Sequence, residues 1–132
     1  MAHEGRGWQP VDLPDGYAPP KGAYSPAVRA GGLIFVSGQV PTDPATGAIV
    51  KGDVTVQARL VLAKLRSVVA VAGATLDDVV SVTVYLARVD DWETFNEIYR
   101  ETFRPPYPAR TVVGAELRGV LVELSAVAVG RS

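Results

Sequence analysis

Two ionisable residues, Arg110 and Glu123, stand inside the most apolar C-terminal stretches of the chain, ARTVVGA and LVELSAVAV. Desolvating either charge without a partner is costly, so their placement marks a candidate site. An arginine in this setting can grip a carboxylate or phosphate through two parallel N–H donors; its alternative is a strand-end arginine that snorkels to water. Glu123, between Val122 and Leu124, either pairs with a core arginine or backbone amides or acts on a ligand, and its mid-strand position favours a ligand role. Asn96 falls on an apolar helix face beside Phe95 and Tyr99, where a buried amide must brace a neighbouring loop or touch a ligand. Tyr24, Ser37 and Gly38 carry no signal of their own and read as hairpin residues.

Composition narrows the chemistry. The 132 residues are 48% hydrophobic and 20% charged, which fits one globular domain with a real core. There is no cysteine, and the single histidine, His3, sits in a polar N-terminal tail, so thiolate, zinc and triad-type catalysis are not expected. No cofactor or metal is called for. Thirteen basic and fourteen acidic residues give a formal charge of -1 with no basic cluster, so no nucleic-acid partner is expected. The chain has neither a signal-type segment nor an apolar run of about 20 residues, so no membrane association and a cytoplasmic location are expected.

The elements that must hold these residues follow from periodicity. Residues 1–23, rich in proline and glycine, read as an extended leader to a single domain spanning 24–132. Ala27 to Arg29 and Leu33 to Ser37 form a hairpin around Gly31-Gly32. PTDPATG at 41–47 is a turn, and Asp53 caps a helix with Ala58, Val61, Leu62, Leu65, Val69 and Ala72 on its apolar stripe, stopped by Gly73. Val79 to Leu86 is a strand with Val80, Val82, Val84 and Leu86 on its greasier face. Trp92, Phe95, Tyr99 and Phe103 space a second helix, ended by Arg104-Pro105-Pro106. Ala109 to Ala115 and Leu121 to Val129 close the chain. The order β-β-α-β-α-β-β predicts an α+β sandwich, a mixed sheet with two helices on one face.

If Arg118-Gly119 were a two-residue hairpin loop, Gly114 would oppose Glu123 and Val127 would oppose Arg110. The two charges would then share a sheet face about 13 Å apart, too far for an ion pair. A small ligand could touch both only if a second subunit brought its own Glu123 near Arg110 or if a bulge shortened the distance, a geometry that points toward an oligomer with shared sites.

The stretches YSPAVRAGGLIFVSGQVPTDPATGAIV, AGATLDDVVSVTVYL, DDWETFNEIY, PARTVV and LVELSAVAV, in that order, resemble the RidA (YjgF/YER057c/UK114) family over Tyr24 to Val129. The resemblance implies a chorismate-mutase-like α+β fold, a homotrimer with active sites between subunits, and a cofactor-independent enamine/imine deaminase acting on 2-iminopropanoate and 2-iminobutanoate. It implies that Arg110 binds the substrate carboxylate, that Glu123 activates water, and that Tyr24, Ser37, Gly38, Asn96 and Val112 line the pocket. Ser125 replaces a second acidic residue common in the family, and the connections before Arg110 and Glu123 look short. Two alternatives stand beside this reading: a pathway-specific hydrolase of a larger enamine, imine or aminoacrylate, and a non-enzymatic carboxylate-binding regulatory trimer. Endoribonuclease activity, described for some relatives, draws no support from the near-neutral charge.

Overall fold

A computed structural model describes residues 5–130; His3 lies outside them. Its six strands are β1 (Trp8–Val11), β2 (Ala27–Ala30), β3 (Leu33–Gln39), β4 (Val79–Leu86), β5 (Ala109–Gly114) and β6 (Val122–Val129). Two helices, α1 (Val54–Val71) and α2 (Trp92–Thr102), are inserted before and after β4. The strands form one sheet in the order β1-β2-β3-β6-β4-β5, mixed because β4 and β5 run parallel while the other pairs are antiparallel. The expected α+β architecture is therefore present, with one strand more than the sequence suggested. Trp8–Val11 of the leader pairs with β2, since an edge strand tolerates Pro10, which cannot donate to a ladder.

Local chemistry sets the boundaries. Gly31 and Gly32 both adopt positive φ, 56° and 79°, as a tight hairpin turn between β2 and β3 demands. Asp53 caps α1 through Oδ1, which accepts from the Val56 amide at 3.1 Å. Gly73, at φ 83°, follows its last turn. The stripe Ala58, Val61, Leu62, Leu65, Val69 and Ala72 is buried against the sheet, along with Ile34, Val36, Val82, Val84, Leu86, Val122 and Leu124. Burying a Val or Leu of this kind contributes about 1.5–3 kcal/mol, which is what holds helices to sheet.

Two irregularities re-aim side chains. In β4 the pairing with β6 shifts between Val79 and Ser81, so Val79 turns into the core and Val80, expected inside, is exposed. In β3 the pairing steps from Val36↔Ala126 to Gln39↔Leu124, leaving Ser37 and Gly38 together opposite Ser125. This bulge turns both residues away from the helices while Val36 and Gln39 stay buried.

The expected terminal hairpin does not form. β5 pairs in parallel with β4, and β6 inserts between β3 and β4, so residues 115–121 are a crossover across β4. Inserting β6 centrally buries Val122, Leu124, Ala126 and Ala128 under the helices, which an outer hairpin position would not achieve.

Candidate active site

Arg110 emerges from β5 level with Val82, and therefore on the helix side of the sheet. There α2 receives it: Nη1 donates to Asn96 Oδ1 at 2.8 Å, and the guanidinium carbon lies 4.6 Å from the Tyr99 ring centroid and 5.5 Å from that of Trp92. Asn96 braces the arginine, then, rather than a loop. Trp92, one of the aromatic residues whose spacing marks α2, is 41% exposed and flanks the cation. The i, i+3/i+4 spacing of α2 brings these side chains to one face, while Phe95 and Phe103 stack on Tyr99 at 5.9 and 4.6 Å. Burial raises the Tyr99 phenol to about 12, with the nearby Arg110 charge opposing. Val112, two positions on, packs partly buried against the core beside Arg110.

Glu123 belongs to a different neighbourhood. It is level with Tyr85, so it lies on the face that carries no helix. Its carboxylate rests on the Gly38 backbone, where a Cβ would collide with it. The bulge in β3 makes this approach possible, and Ser37 Oγ donates to the Ser25 carbonyl at 2.6 Å, tying the bulge to the residue after Tyr24. Gln57 of α1 fixes the entry to β6: its Nε2 donates to Val50 O at 2.9 Å and its Oε1 accepts from the Leu121 amide at 2.8 Å. Tyr24 stands 56% exposed at the edge of this region.

The sequence-based placement of the two charges on one face is thus overturned. Three positions along the strands, about 10 Å, and two strand spacings, about 10 Å more, separate their levels, and the sheet itself lies between the side chains. Within one chain the candidate residues form two groups: Arg110, Asn96 and Val112 on one side, Tyr24, Ser37, Gly38 and Glu123 on the other.

A cavity of about 580 Å³ opens beside the second group, with Tyr24, Gly38 and Glu123 in its wall. The leader, the 41–49 turn and the 116–120 connection enclose it. The leader is fastened to the turn by the Ala18 amide, which donates to Pro44 O at 2.6 Å. The turn is held from below by Lys64, whose Nζ donates to Val40 O at 2.9 Å, Thr42 O at 3.3 Å and Thr42 Oγ1 at 2.8 Å. Burial lowers the Lys64 pKa, with Asp43 pulling it back up. Nothing in the sequence pattern isolates Lys64 or Gln57, because a lone polar residue on a helical stripe looks like an ordinary interruption. Among the described residues, no group of three or more His, Cys, Asp or Glu side chains is arranged to hold a metal, and no helix is long and apolar enough to cross a membrane.

Comparison with known proteins places these features. The family model described as Endoribonuclease L-PSP matches residues 16–130. The chain is 44% identical over 111 residues to a RutC family protein of Pyrococcus horikoshii, covering 83% of this chain and 88% of that one. It is 38% identical over 110 residues to the human 2-iminobutanoate/2-iminopropanoate deaminase, covering 82% and 80% of the two chains. The crystal structure of RidA from the Antarctic bacterium Psychrobacter sp. PAMC 21119 superposes with a TM-score of 0.84 at 32% identity, covering 92% of this chain and 98% of that one. With the helix-covered mixed sheet and a family match over nearly all the described residues, the chain belongs to the RidA family, which the matching model describes as Endoribonuclease L-PSP.

Proposed function

We propose that this protein hydrolyses small 2-imino and 2-enamino acids, such as 2-iminopropanoate and 2-iminobutanoate, to 2-oxo acids and ammonia, at sites formed between the subunits of a homotrimer. The observation that carries this reading is that the chain offers a guanidinium pre-positioned by Asn96 and, on the other sheet face, a carboxylate that no cation neutralises in any ion pair found among the described residues. A human relative bears the name of that activity.

The division of labour follows from the chemistry. Arg110, held in plane by Asn96 and flanked by two rings, offers its remaining N–H donors to the substrate carboxylate. Glu123 of an adjacent subunit takes a proton from water, whose oxygen adds to the C=N carbon. Glu123 returns that proton to the carbinolamine nitrogen, the C–N bond breaks as the hydroxyl proton passes to the departing ammonia, and iminium acid and water give 2-oxo acid and ammonium. Fixing the carbon against the water in this way removes much of the entropic barrier. Tyr24, Ser37 and Gly38 border the water-activating group, and the backbone at Val112 borders the arginine.

Association of subunits is the step that unites the two groups. The helix-free sheet face presents Phe35 and Val113, each 42% exposed, with Val28, Tyr85 and Val127 also turned that way, an apolar surface suited to a second copy. The test is ammonia and 2-oxo acid formation from freshly generated 2-iminopropanoate and 2-iminobutanoate. Wild type should accelerate it, and Glu123→Gln should reduce kcat by at least about 10²-fold, the range of a positioned general base. Equal rates with and without wild-type protein would reject the reading.

A further inference from the structure

The cavity beside Glu123 is far larger than a three- or four-carbon imino acid requires. At about 580 Å³ it falls within the range of about 300–1,000 Å³ that accommodates drug-sized ligands. Building on the deaminase reading above, we infer that it is a side-chain subsite, and that the preferred substrates are 2-imino acids with extended apolar side chains.

Three features of the cavity support this assignment. Its lining is chiefly apolar: Leu13 and Tyr17 from the leader, Ile49 from the turn, and Leu117 and Val120 from the crossover face one space with Glu123 at its edge. Ile49 is 45% exposed there, which leaves apolar surface for a ligand to cover. The walls are also braced independently of any ligand. Ala18 bonds to Pro44, Lys64 ties Val40 and Thr42, Gln57 ties Val50 and Leu121, and the Asp43 carboxylate accepts from the Ala45 amide at 2.8 Å. A pre-formed cavity loses little to ordering when it fills. The charged groups of the lining do not select a charged side chain: all three Lys64 donors are spent on the turn, Lys21 and Arg118 are exposed, and Asp43 and Glu116 balance them.

Orientation follows from the same placement. With the carboxylate on Arg110 of the adjacent subunit and the imine carbon at Glu123, the space left for the remaining substituent of that carbon is the cavity that Gly38, Tyr24, Ile49 and Leu117 line together with Glu123. This whole wall belongs to one chain, so chain-length selectivity resides in the subunit that supplies Glu123.

The experiment is calorimetric titration of the assembled protein with the unbranched series pyruvate, 2-oxobutanoate, 2-oxopentanoate and 2-oxohexanoate, with turnover of the corresponding imines in parallel. Affinity should rise about threefold per added methylene in wild type. Ile49→Trp, which fills the cavity from an exposed position, should flatten the series and shift the turnover ratio between the longest and shortest imines at least about tenfold toward the shortest. A flat or falling series in wild type overturns the subsite. If turnover of 2-iminopropanoate accompanies that flat series, the deaminase reading survives it. A rising series with no turnover of any imine upholds the cavity as a ligand site and sinks the deaminase reading instead.

Discussion

At the scale of single residues, the contact between Glu123 and Gly38 is the most exacting feature of the candidate site. A methyl group at Gly38 would occupy space that the carboxylate now fills, and the side chain would have to swing away. Displacing a catalytic group by about 1 Å can cost about 10²-fold in rate, so Gly38→Ala should lower kcat by roughly that factor while the circular dichroism spectrum stays unchanged. Unaltered kcat would show that the carboxylate is not held by this approach. Arg110 has the opposite character, since its neighbours leave donors free. Arg110→Lys keeps the charge but loses the planar fork, and should raise KM at least about tenfold with a smaller effect on kcat, measured on 2-iminopropanoate. Both residues were visible in the sequence as charges in apolar strands. Their partners were less so, because Gly38 looks like any strand-end glycine until the bulge in β3 is known.

Among the elements, α2 is a short helix with two tasks. Phe95, Ile98, Tyr99 and Phe103 fill the core, and Trp92, Asn96 and Tyr99 meet Arg110. Tyr99 serves both and bears a cost: among the described residues its hydroxyl is the buried side-chain polar atom without a hydrogen-bond partner. Tyr99→Phe should therefore be neutral or stabilising by about 1 kcal/mol at neutral pH, read from urea unfolding. The sign of the pH effect follows from the raised phenol. Unfolded, it ionises near 10; folded, near 12, so the folded state holds the proton longer. The Tyr99 contribution is complete below pH 10 and is lost as pH rises through the interval to 12. Wild type should lose about 2 kcal/mol more than Tyr99→Phe across that interval, and parallel pH profiles would refute the assignment. The helices were legible from sequence because an apolar stripe at 3.6-residue spacing is local. The leader strand β1 was not, since a proline-rich edge segment has no period of its own and is a strand only because β2 is beside it.

For the whole molecule, the sheet divides the proposed machinery into halves that one chain cannot bring together. Mixing separately inactive Arg110→Ala and Glu123→Gln subunits, then unfolding and refolding them together, should therefore restore activity. In a ring of shared sites, random assembly leaves about a quarter of the sites with both native residues. No recovery, in assemblies shown by mass to be mixed, would place each site within a single chain.

Local chain chemistry alone set the α+β class, both helices with the Asp53 and Gly73 ends of α1, the hairpin at Gly31-Gly32, and the two charges most worth watching. Each of these depends on residues close together in the chain, where spacing and turn chemistry act directly. Strand neighbours, by contrast, follow from packing across the whole chain. Two short strands joined by a glycine-containing connection satisfy a hairpin and a crossover equally well, and the choice falls to burial: β6 between β3 and β4 places its alternate residues under the helices. That choice sends Arg110 and Glu123 to opposite faces and, through the leader, the 41–49 turn and the 116–120 connection, closes a cavity whose walls come from segments far apart in the chain.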